Sequence, residues 1–142
     1  MAVTTERRYS TVIHPLHAVL LAGTVPLFLG AALSDAAYAS SYEIQWTNFA
    51  SWLIVGGLDF AGVALLFAIV DLCRAERRAR GIALYAAVLL ATWVVAFFNA
   101  LMHARDAWAS MPTGLVLSVI VAVLACVATW VGFCTPRIGG RK

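Results

Sequence analysis

Trp52-Leu-Ile-Val-Gly-Gly-Leu-Asp59-Phe-Ala-Gly-Val-Ala-Leu-Leu66 is an apolar run with a carboxylate at its centre. Read as a helix crossing a bilayer, it puts Asp59 near the midplane. An ionisable group at that depth is costly and ordinarily faces protein or a water-filled cavity. Gly56 and Gly62 flank Asp59 at three residues to either side. Small residues at that spacing share its helical face and let a second helix come close. The run is therefore expected at the centre of a helix bundle, with Asp59 turned inward.

Composition widens this reading to the whole chain. Of 142 residues, 63% are hydrophobic and 12% charged, against roughly 45–50% and about 25% in a soluble domain. The apolar residues gather into four runs, about 14–34, 47–72, 81–103 and 113–134, each near the roughly 20 residues that span a hydrocarbon core. The expected fold is all-α, an integral-membrane four-helix bundle forming a single domain over residues 1–142. No internal repeat stands out beyond the hairpin rhythm. Arg7, Arg8 and Ala37-Tyr38-Ala39 imitate the ends of a signal peptide. The run between them is too long for a signal core, so an uncleaved span is expected. Pro15 suits a first helical turn, Pro26 predicts a kink, and residues 35–46 read as a polar, aromatic loop.

Charge sets the topology. Of ten Lys and Arg residues, nine lie in the N-terminal tail, the 73–80 loop and the C-terminal tail, and only Arg105 lies elsewhere. With four spans the three basic segments share one face, which places both termini in the cytoplasm. The opposite face carries Asp35, Glu43, Arg105 and Asp106, with Tyr38, Tyr42, Trp46 and Trp108 as interfacial anchors. The basic segments suit anionic lipid rather than nucleic acid, for which no stripe is present. Cys73, Cys126 and Cys134 make no metal spacing and read as reduced, buried thiols.

Polar residues fall into stripes. Tyr85, Thr92 and Asn99 are seven apart, and His103 follows one turn later. His17 and Thr24 repeat the spacing in the first run, while Ser118, Cys126 and Thr129 in the fourth align only loosely. The stripes are expected to converge on Asp59, giving an intramembrane polar core of Asp59, Thr24, Thr92 and Asn99. Its two readings are hydrogen bonds that only hold the bundle, and a site that handles protons, ions or a cofactor. Asp35, His103, Arg105 and Asp106, together with Asn99, form an outer polar rim, with Arg105 expected to pair with Asp35 or Asp106. The rim reads as a solvated helix end or as a docking surface. His14, His17 and His103 raise cofactor or quinone contact, haem b included. His14 and His17 lie at one membrane face and His103 at the other, about 30 Å away across a 20-residue span, so one chain cannot clamp one iron between them. A haem shared between subunits at His103 stays open. No nucleophile–base pair or phosphate loop suggests catalysis by this chain alone.

His14-Pro15-Leu16, Asp35, Gly57-Leu58-Asp59, the basic loop 74–80 and the polar end of the third run together resemble a bacterial family catalogued as domain of unknown function 2231. The likeness covers about residues 11–134. It implies a small four-helix protein of the bacterial inner membrane. It also implies a redox setting, because related domains occur fused or adjacent to quinoprotein dehydrogenases of the sorbosone dehydrogenase type. The positions carried over are His14, Asp35, Asp59 and His103. The function expected is a non-catalytic accessory or anchor subunit for an extracytoplasmic dehydrogenase or cytochrome, assisting electron transfer, within an oligomer or larger complex. The alternative is a small oligomeric transporter or proton-coupled permease using Asp59.

Overall fold

The computed structural model describes residues 9–10, 13–74, 80–135 and 137–138. The basic loop residues 75–79 and most of both tails, on which the topology reading leans, lie outside the described residues. Five helices are present: α1 (Pro15–Ser41), α2 (Ile44–Arg74), α3 (Arg80–His103), the single turn α4 (Ala107–Ser110) and α5 (Thr113–Cys134). Four of them are long and apolar enough to cross a membrane. Pro15 occupies the first turn of α1 as expected, and the helix continues through Pro26.

The largest departure from expectation is at residues 35–46. Ala36, Ala37 and Ala39 are strong helix formers, and α1 runs on to Ser41. The connection shrinks to Tyr42 and Glu43. Tyr42 ends the helix in the left-handed region, φ 59°, and donates its N–H to the Tyr38 carbonyl at 2.8 Å. Asp35 consequently lies inside α1 rather than at its end.

The spans pack as a square. α1 lies beside α2 and α5, and α3 lies beside the same two helices from the opposite corner. Short connections make neighbours antiparallel, so the diagonal pair α1 and α3 runs parallel. A single register joins them. His17 meets Tyr85 and Asp35 meets His103, each pair 68 residues apart. Buried Leu21 and Leu89, Thr24 and Thr92, and Phe28 and Ala96 repeat that spacing. So do Ala50 and Ser118, Ile54 and Ala122, and Gly57 and Ala125 on the other diagonal. The two hairpins thus bury corresponding positions at one offset. The repeat unseen in residue identity is a repeat of buried positions.

Large side chains face outward and small ones inward. Leu33, Trp52, Leu66 and Trp130 are exposed, while Ala50, Ala61, Ala64, Ala96, Ala125 and Ala128 are fully buried. Hydrocarbon outside the protein removes the drive to hide leucine, and close helix contact rewards small residues. A Cβ on Gly57 would lie 2.5 Å from the Phe28 ring, and one on Gly132 would lie 2.5 Å from Leu21 and 2.7 Å from Tyr85. The three cysteines are free but exposed, not buried, for the same reason. Beyond the bundle, Tyr9–Ser10 pairs antiparallel with Arg137–Ile138, which brings both chain ends to one end of the molecule.

Candidate functional site

Asp59 does not sit in the interior. It is exposed on the outward face of α2. The inward face is Ala50, Ile54, Gly57, Ala61, Ala64 and Ala68, and two residues beyond Gly57 a helix has turned by about 200°. Gly56 meets Leu27 of α1 and Gly62 meets Trp93 of α3, so the glycines flank Asp59 on either side and leave it facing out. Thr24 and Thr92 are buried, but each hydroxyl donates to its own helix, to the Leu21 carbonyl at 2.7 Å and the Val88 carbonyl at 2.8 Å. The stripes thus share the interior without meeting at a mid-depth carboxylate.

The interior polar groups form two layers, one near each end. At the end carrying the termini, the His17 imidazole Nε2 lies 2.7 Å from the Tyr85 hydroxyl, and Phe67 stacks against His17 at 5.2 Å and His14 at 6.0 Å. His17 is buried and His14 exposed. The second layer lies 18 residues further along α1, about 27 Å away.

That second layer joins three helices. Asp35 of α1 is fully buried. Its Oδ1 lies 2.9 Å from His103 Nε2 of α3, and its Oδ2 accepts from the Ser118 hydroxyl of α5 at 2.5 Å. Asn99 Nδ2 donates to Ser118 Oγ at 2.8 Å, and His103 Nδ1 donates to the Asn99 carbonyl at 2.9 Å. A carbonyl only accepts, so Nδ1 carries a proton. One further proton lies between Nε2 and Oδ1. Gly114 makes room for the ring: a Cβ there would lie 3.0 Å from His103 Cε1. Asn99 Oδ1 is buried and without a hydrogen-bond partner. The rim expectation groups Asp35, Asn99 and His103, and the structure brings these three together, but as a buried cluster rather than a solvated edge. Ser118, a loosely aligned polar residue of the fourth run, is its fourth member.

His103 also borders an open cavity of about 390 Å³ at this end. Gln45, Thr47, Asn48 and Ser51 from the first turns of α2 line it, with Arg105 opposite and no acidic residue in its wall. Arg105 forms an ion pair with neither Asp35 nor Asp106 among the described residues. Asp35 is committed to His103, and Asp106 is exposed before α4. Gln45 lies in the stretch that reads as loop, whereas Thr47, Asn48 and Ser51 fall inside the expected second run, where nothing in the apolar pattern gives them a role. The spacing of Thr47, Asn48 and Ser51 on one helical face was the available signal. A second cavity of about 340 Å³ opens among Tyr38, Tyr42, Trp108 and Pro112.

A family profile described as "Predicted membrane protein (DUF2231)" matches residues 13–134. The chain belongs to the DUF2231 family. The match takes in all four spans and both polar layers, and the protein is a multi-pass membrane protein. Searches of curated proteins and of solved structures returned no match.

The donor sets of this DUF2231 chain suit clamping better than ligation. Both His103 ring nitrogens are engaged, so an axial bond to haem iron would first break the contact with Asp35 or with the Asn99 carbonyl. His17 Nε2 is engaged with Tyr85. Among the described residues no three His, Cys, Asp or Glu side chains gather as a metal site. Nor does the cluster have the order of a nucleophilic triad, in which histidine stands between serine and acid. Here the acid stands between histidine and serine.

Proposed function

We propose that this DUF2231 protein is a non-catalytic subunit of the bacterial inner membrane that docks an acidic segment of an extracytoplasmic redox partner, a quinoprotein dehydrogenase or cytochrome. The observation that carries the proposal is the Arg105 pocket. A guanidinium without an acidic partner among the described residues stands beside amide and hydroxyl groups over a buried, hydrogen-bonded imidazole. Guanidinium favours paired hydrogen bonds to carboxylate. The Asp35–His103 cluster serves as the floor, fixing the ends of α1, α3 and α5 against each other. The lopsided distribution of Lys and Arg supports placing the pocket outside and the termini in the cytoplasm. The redox identity of the partner rests on the family resemblance. A transport path through the bundle draws little support, because Asp59 faces outward and the space between the polar layers is filled by Leu21, Phe28, Leu89 and Val121.

A photo-reactive residue at Asn48, exposed on the pocket wall, tests this in native membranes. Cross-linking to a dehydrogenase or cytochrome is expected, with loss of the adduct in Arg105→Glu. Adducts with neither class, or an Arg105→Glu yield equal to wild type, would reject the reading.

A further inference from the structure

Asp59 is the sixteenth residue of the 31-residue helix α2, about 22 Å from either end. A short carboxyl side chain cannot reach water across that distance. Among the described residues it is the one Asp, Glu, Lys or Arg side chain exposed in the middle of a span. It does not stand alone on its face. Trp52, Val55, Leu66 and Ile69 are exposed with it, and with Gly62 they repeat at alternating steps of three and four. That is the seam of a helix pair, with a single polar residue at one seam position, the device that sets register and partner number in paired helices.

We propose that α2 pairs with α2 of a second copy of this chain, parallel and two-fold related, with the Asp59 side chains hydrogen-bonded to each other at the bilayer centre. Copies inserted with one topology place Asp59 at equal depth, so the two groups meet without adjustment. A two-fold contact also requires a self-complementary patch. Carboxyl groups satisfy this, since a pair holding a proton both donates and accepts. Among the described residues no other span exposes a charged or carboxyl side chain at that depth, so another face of the same chain would leave the group unmatched. The pairing face is separate from the Arg105 pocket, and its failure would leave the docking proposal standing.

The test uses the full chain in lipid vesicles with Cys73, Cys126 and Cys134 changed to serine. Single-molecule photobleaching of C-terminally labelled protein, over a lipid dilution series, reads the dimer fraction. Wild type and Asp59→Asn are expected to dimerise alike, because asparagine also donates and accepts. Asp59→Leu is expected to weaken the dimer about tenfold, with unchanged helical circular dichroism. Oxidation should cross-link Val55→Cys and spare Val123→Cys on α5. Single-step bleaching of wild type at every dilution, or an Asp59→Leu dimer as tight as wild type, would overturn the proposal. So would Asp59→Asn behaving like Asp59→Leu, which would mean that the contact between copies needs a carboxylate and is not a hydrogen-bonded pair that an amide can replace.

Discussion

Asp35 is the residue on which the outer end of the bundle depends. Both of its oxygens are used, one by His103 and one by Ser118, and no water reaches it. Replacing it with alanine leaves an imidazole and a hydroxyl facing an empty low-dielectric space, so Asp35→Ala should cost about 3–5 kcal/mol. Reversible unfolding in mixed micelles measures this. The paired change Asp35→Ala with His103→Ala should cost less than the sum of the single changes, with a coupling of about 0.5–3 kcal/mol. Additive losses would mean that the two groups do not interact. Asp59 gives the contrast. On insertion scales an aspartate at the bilayer centre costs about 2.5–3.5 kcal/mol. Asp59→Leu should therefore leave the isolated bundle as stable as wild type or more so, and a loss of stability would place Asp59 inside it. These two carboxylates show where sequence reading fails. Asp59 stands within an apolar run and Asp35 just past the end of one, where it reads as loop, and three-residue spacing to glycine occurs on a lipid-facing stripe as readily as on a packed one.

Among the elements, the helices were legible because four apolar runs of spanning length leave little else for the backbone to do. α5 begins and ends where its run does. α1 was read seven residues short, because Asp35, Tyr38 and Ser40 looked like loop chemistry while alanines held the helix. The same loop reading leaves out the first three residues of α2, Gln45 of the pocket wall among them. Packing between helices rests on close approach at glycine. Gly57→Ala and Gly132→Ala would drive a methyl into the Phe28 ring and into Leu21 and Tyr85. Each should cost about 1–3 kcal/mol through overpacking, read as a lowered midpoint of thermal unfolding in detergent. Gly81→Ala is the control, since its nearest neighbour is the Thr135 methyl at 3.3 Å on an exposed helix start. Equal gains at all three sites would show that intrinsic helix propensity, which favours alanine over glycine, and not packing, decides.

For the whole molecule, one register relates the hairpins and places a polar layer near each end, with packed apolar side chains between them. The end with the chain termini carries His17 and Tyr85, and the end with the cavities carries Asp35, His103 and Arg105. Charge distribution supports an orientation for this arrangement. Cysteines introduced at Gln45 and at Asp106 should react with a membrane-impermeant maleimide on intact cells, while one near the C-terminus should react only after lysis. The reverse pattern would invert the protein and move the docking pocket to the cytoplasm. The most direct measurement of the account is dipolar recoupling by solid-state NMR in bilayers, between His103 ¹⁵Nε2 and Asp35 ¹³Cγ. A strong coupling, with both ring nitrogens in hydrogen bonds, is the predicted result. It should weaken in Gly114→Ala, whose methyl would press on the imidazole at Cε1. No coupling in the wild-type protein would contradict the buried cluster and the pocket floor built on it.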